Sequence, residues 1–134
     1  MTQILIIDDE RSVAASIKTL LEYEGFEVAV AEDGRQGVDL FAANPFDLVI
    51  VDMFMPGMDG LDTIKALRES REGVPIIAIS GFTSRGTAVP ETDVLATAVK
   101  LGAACSLHKP FRRRDIVQAV MGCIAPLRPS EVAA

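Results

Sequence analysis

Ile4-Leu5-Ile6-Ile7-Asp8-Asp9 and Leu48-Val49-Ile50-Val51-Asp52 are the stretches whose reading decides the fold. Each begins as a short, continuous apolar run rich in β-branched residues, the pattern of a strand buried on both faces of a parallel sheet. Each ends in acid. If both runs are parallel strands of one sheet, their three carboxylates gather at its carboxyl edge, where open α/β sheets bind ligands. Three like charges in one pocket repel one another, so such a site calls for a cation.

Working outward, strand-like and helix-like segments alternate along the chain. Val13, Ile17, Leu20 and Leu21 recur at helical spacing over residues 10–24, and Gly25 is placed to stop that helix. Residues 26–31 predict a second strand, and residues 34–43 a second helix ended by Asn44-Pro45. After the run at 48–51, Met55-Pro56-Gly57-Met58-Asp59-Gly60 is turn chemistry, with Asp59 the expected N-cap of a third helix through Leu61, Ile64, Ala66 and Leu67. Residues 74–80 predict a fourth strand with Pro75 held at its beginning. A Gly-, Ser- and Thr-rich loop over 81–90 leads to a fourth helix over 91–101, stopped by Gly102. A fifth strand over 104–108 and a fifth helix over 112–124, with Ile116, Val117, Val120 and Ile124 inward, complete the series. Five strand–helix units imply an α/β fold with a parallel sheet and helices on both faces.

Bulk properties agree with one domain over residues 1–124 and a flexible tail over 125–134. The formal net charge of −6 gives no basic footprint for nucleic acid. The reading leaves no room for a signal peptide before the first strand and finds no bilayer-length apolar run. Cys105 and Cys123 lack metal-ligand spacing, so reduced thiols and a cytoplasmic location are expected.

In order, the chain carries Asp8-Asp9-Glu10, then Asp52-Met53-Phe54-Met55-Pro56-Gly57, then Ser80-Gly81, then Lys109-Pro110-Phe111, each after an expected strand. This set, from about residue 3 to about residue 124, resembles the response-regulator receiver domain of bacterial two-component signalling. The resemblance implies the flavodoxin-like receiver fold with strand order 2-1-3-4-5. It implies Asp52 as phosphoacceptor, with Mg2+ held by Asp9, Asp52 and the Phe54 backbone carbonyl, and by Asp8 through water. By the same resemblance Lys109 pairs with the acceptor and then with a phosphoryl oxygen, Ser80 donates its hydroxyl to another, and the Lys109-Pro110 bond is cis. The chemistry is coherent on general grounds: a carboxylate can act as nucleophile, and phosphoryl transfer is largely positioning and charge stabilisation.

Some positions depart from that pattern. Where the family usually has a switching aromatic, three residues before the lysine, this chain has Ser106, so another relay must report the phosphoryl group. The segment over 81–90 resembles the glycine-rich loop of some stand-alone receivers and is expected to order on phosphorylation. Phe54 and Phe82 flank the site in register, and apolar rings there predict a long-lived phosphoryl state by excluding water, with Phe82 packed elsewhere in its loop as the alternative. Glu10 is read as a first-turn acid favoured by the helix dipole. Arg112, Arg113 and Arg114 are read as a solvated face, with a docking patch for an acidic partner as the alternative. His108 is read as structural.

The resulting expectation is a single-domain response regulator, phosphorylated by a histidine kinase or histidine phosphotransfer protein. It would switch affinity for a protein target through its fourth helix, fifth strand and fifth helix, or serve in a phosphorelay. It would be a monomer or weak phosphorylation-dependent dimer, without nucleic-acid or membrane partners. Its chemistry would be limited to self-phosphorylation and self-dephosphorylation. An aspartyl-phosphate phosphatase is the competing reading, but its acid/base position two after the nucleophile is Phe54, which moves no protons. A non-phosphorylated receiver-like scaffold is the third.

Overall fold

The computed structural model describes residues 2–53, 60–80, 99–100, 102–108 and 111–124. Five strands, β1 (Gln3–Ile7), β2 (Glu27–Ala31), β3 (Leu48–Asp52), β4 (Ile76–Ser80) and β5 (Cys105–His108), form one parallel sheet in the order β2-β1-β3-β4-β5. The helices described are α1 (Arg11–Tyr23), α2 (Gly34–Ala43), α3 (Gly60–Ser70) and α4 (Arg113–Ile124). The last of these is the fifth helix expected from the sequence. Most of the expected fourth helix lies outside the described residues, although residues 99–100 are helical.

Strand alternation sorts the core into two layers. Leu5, Ile7, Val49, Val51, Ile76 and Ala78 pack on one face with Phe41 of α2 and with Ile64 and Leu67 of α3. Ile4, Ile6, Leu48, Ile50, Ile77 and Ile79 pack on the other with Ala14, Ile17 and Leu21 of α1 and with Ile116, Val120 and Ile124 of α4. Both sets of odd and even positions are therefore apolar, which is why β1 and β3 read as unbroken runs rather than as alternation. Each such side chain removed from water contributes roughly 1.5–3 kcal/mol.

Helix ends follow local chemistry. Gly25 sits at φ +96 and donates its N–H to Glu22, while the Phe26 N–H reaches back to Leu21, closing α1 in the left-handed turn that glycine permits. Asp33 caps α2 by accepting the Gln36 N–H at 2.8 Å, and Gln36 Oε1 accepts the Glu32 N–H at 2.7 Å. At α4 the Arg112 N–H donates to Asp115 Oδ2 at 2.9 Å, so Asp115 places a negative charge beside the three arginines in the first turn.

Several boundaries shift from the sequence expectation. Phe26, Val74, Pro75 and Ala104 lie just before the strands rather than in them. Glu10 is corrected from first-turn acid to N-cap, with no capping bond from its side chain. The expected N-cap Asp59, the loop over 81–90, Phe82, the Lys109-Pro110 bond and the tail over 125–134 lie outside the described residues.

Candidate functional site

The direction in which strands are added to the sheet reverses between β1 and β3. The sheet grows one way from β1 to β2 and the other way from β3 to β4, so the carboxyl ends of β1 and β3 flank a crevice. Ile7 is the last residue of β1 and pairs with both Ala31 and Val51, so Asp8 and Asp9 emerge at that crevice. Asp52 ends β3 opposite Ile79, and Ser80 ends β4 opposite His108. The sheet register thus brings the acids and the hydroxyl to one edge.

Carboxylate oxygens of Asp8, Asp9 and Asp52 lie within 4.8 Å of one another. Asp8 and Asp52 are only 1% and 2% exposed. Unit charges at that separation repel by about 3 kcal/mol at an effective dielectric of about 20, so the cluster concentrates negative charge at this edge. Hard oxygen donors and concentrated negative charge fit a small divalent cation such as Mg2+. Asp8 also acts structurally, since its Oδ1 accepts the Glu10 N–H at 2.9 Å and so fixes the turn into α1.

Ser80 is fully buried, and its Oγ has no hydrogen-bond partner among the described residues. A buried hydroxyl left in this state loses its hydration without replacement, a cost of about 1–3 kcal/mol. Such a group at the end of a core strand is suited to a ligand oxygen.

Gly60 reads from sequence only as turn chemistry, yet it sets how closely α3 approaches the site. A β-carbon there would collide with the Met53 Cα and come within 2.9 Å of the Asp52 carbonyl oxygen. The Gly60 N–H reaches the Met53 carbonyl at 3.4 Å, joining the start of α3 to the end of β3. The available signal is a glycine opening an apolar-periodic helix, where alanine would otherwise be preferred. Thr63, buried in the next turn of α3, is equally easy to pass over as one polar residue beside Ile64.

Of the expected site residues, Asp8, Asp9, Asp52 and Ser80 are therefore at the same sheet edge. Phe54 and Lys109 lie outside the described residues. Ser106, at the position of the missing aromatic, is exposed on β5. Among the described residues no helix is long and apolar enough to cross a membrane.

Residues 4–121 match the family described as the response regulator receiver domain. A receiver domain protein from Clostridium thermocellum superposes with a TM-score of 0.84 at 31% identity, covering 94% of this chain and 96% of that one. The Francisella response regulator 1452 receiver domain gives 0.82 at 28% identity, covering 96% of this chain and 100% of that one. Among curated relatives, the transcriptional regulatory protein CpxR of Escherichia coli (strain K12) is 41% identical over 120 residues, which is 90% of this chain and 48% of CpxR. The response regulator MprA of Mycolicibacterium vanbaalenii is 30% identical over 129 residues, 96% of this chain and 53% of MprA. The chain thus spans about half the length of these curated relatives. With the strand order, the acidic crevice and these matches in agreement, the chain belongs to the receiver-domain family of two-component response regulators, whose general features include phosphorylation and Mg2+ binding.

Proposed function

We propose that Asp52 accepts a phosphoryl group from a phosphohistidine on a kinase or phosphotransfer protein. The carboxylate oxygen attacks phosphorus, the P–N bond breaks, and the imidazole leaves with its electron pair. The observation that carries this reading is the acidic triad Asp8, Asp9 and Asp52, with Asp8 and Asp52 buried, at the same sheet edge as the buried hydroxyl of Ser80. Carboxylates alone would repel an incoming phosphoryl group. When bound, Mg2+ held by Asp8, Asp9, Asp52 and the Phe54 carbonyl would neutralise that charge. Ser80 donates its hydroxyl to one phosphoryl oxygen. Lys109, which follows the residue paired with Ser80, supplies an ammonium to another as a point charge.

The domain is a signalling module rather than an enzyme acting on an external substrate, and its output is altered affinity for a protein partner. The relatives' name as transcriptional regulators belongs to proteins about twice as long. This chain's charge of −6 favours protein contact over nucleic acid. A cytoplasmic setting suits a phosphohistidine donor.

Intact-mass measurement after incubation with Mg2+ and acetyl phosphate tests the proposal. One base-labile phosphoryl adduct on the parent chain, lost in Asp52→Asn, is expected. Sustained release of inorganic phosphate would instead indicate a phosphatase, and no adduct would leave a binding scaffold.

A further inference from the structure

Two thiols unrelated to the acidic crevice meet at the start of β5. Cys105 is the first residue of β5, the edge strand of the sheet, and Cys123 is in the last turn of α4. A short connection turns the chain back after β5, so the end of α4 returns to the beginning of the strand. Both side chains pack against the same apolar cluster beneath α1 and α4, both are half-buried, and both are free cysteines. Their side chains lie close enough to shift each other's ionisation. Nothing in phosphoryl transfer uses this pair.

We infer that Cys105 and Cys123 form a peroxide-oxidisable dithiol, a modification site at which one disulfide fastens edge strand β5 to the last turn of α4. The two sulfurs have distinct roles. Interaction with the Cys123 side chain pulls the Cys105 thiol down to about 7, more than its partial burial pushes it up. The same interaction, aided by burial, pushes the Cys123 thiol up. Cys105 is therefore the sulfur with substantial thiolate near neutral pH, and Cys123 holds its proton until needed.

The reaction balances with a peroxide as oxidant. The Cys105 thiolate attacks one peroxide oxygen, the O–O bond breaks, and hydroxide leaves and takes up a proton to become water. Cys105 is then a sulfenic acid. The Cys123 sulfur attacks the Cys105 sulfur, the S–O bond breaks, and the departing hydroxide takes the Cys123 proton. Two thiols and one peroxide give one disulfide and two waters. In a reducing compartment such a bond forms transiently and is reversed by thiols, as redox-sensing disulfides are.

The test uses the full chain treated with hydrogen peroxide, alkylated and digested with trypsin without reduction. Arg112, Arg113 and Arg114 separate the two cysteines onto different peptides, so the bond is read directly as a cross-linked pair that dithiothreitol dissolves. An intrachain Cys105–Cys123 cross-link in a monomeric band is the expected result. Sulfinic acid without a cross-link, or a bond formed only between chains, overturns the inference. In Cys123→Ser, a dimedone probe should trap sulfenic acid at Cys105. In Cys105→Ser, labelling of Cys123 should be about tenfold slower. The reverse order overturns the assigned roles, and the parent-chain cross-link decides the site itself even if a variant fails to fold.

Discussion

The two edges of the sheet are built on opposite principles. At the amino edge, polar groups satisfy each other. Arg71 donates to the Phe41 and Asn44 carbonyls at 2.6 and 2.7 Å and lies 4.2 Å over the Phe41 ring, placing a cation on the carbonyl end of α2. Arg68 bridges the Val74 and Gly102 carbonyls at 2.7 and 2.6 Å, tying α3 to the approaches of β4 and β5. Burial lowers the Arg68 pKa from its ordinary value, with Glu72 opposing the shift. Asp47 accepts the Gln3 N–H at 2.8 Å and returns its own N–H to the Gln3 carbonyl. At the carboxyl edge, three carboxylates crowd within 4.8 Å and the Ser80 hydroxyl is buried without a partner among the described residues. One edge holds the chain together; the other concentrates negative charge beside a buried hydroxyl, a setting suited to a ligand.

That contrast can be broken experimentally. The largest effect is expected for Asp52→Asn, which removes one of the repelling charges. Denaturant titration without divalent metal should show a gain of about 2 kcal/mol, while phosphoryl uptake ceases. A loss of stability instead would mean that Asp52 contributes more through its contacts than it costs in repulsion. Next, Arg71→Ala should lower stability by about 1–2 kcal/mol, since helix-end carbonyls lose a charged donor, with the rate of phosphoryl uptake unchanged. A slowed uptake would couple the two edges.

Magnesium should raise the thermal midpoint of the parent chain. At tenfold excess over its dissociation constant, mass action supplies about 1.4 kcal/mol. Differential scanning fluorimetry on Asp9→Asn should show most of that shift gone, and an equal shift in both proteins would move the ion away from Asp9. The smallest stability change is expected for Ser80→Ala, a gain of about 1 kcal/mol, because the substitution removes a buried hydroxyl that lacks a partner among the described residues. Its phosphoryl uptake should nevertheless slow by about tenfold or more in stopped-flow assays.

The sheet and the acids were legible because their signals are local. Ile4 to Ile7 and Leu48 to Val51 are apolar on both faces, and an acid directly after such a strand has only the carboxyl edge to occupy. Turn glycines were legible for the same reason, as Gly25 and Gly102 at φ +96 and +108 demonstrate. What escaped depends on residues far apart in sequence. The Arg68 and Arg71 attachments span α2, α3 and the turn before β5, and either residue alone reads as an ordinary surface arginine. Cys105 and Cys123 looked unrelated because their spacing matches no ligand pattern, and only the return of α4 along β5 joins them. Glu10 stands one position earlier than the sequence suggests, at the N-cap of α1, where its backbone N–H donates to Asp8.

Met53 and Gly60 sit side by side, joined by the 3.4 Å contact from the Gly60 N–H to the Met53 carbonyl. The end of β3 and the start of α3 are therefore clamped to each other, with no room for a β-carbon at position 60. Any larger residue there would pry the helix off the acid that ends the strand, so the width of the proposed phosphorylation site is set by an atom the chain does without.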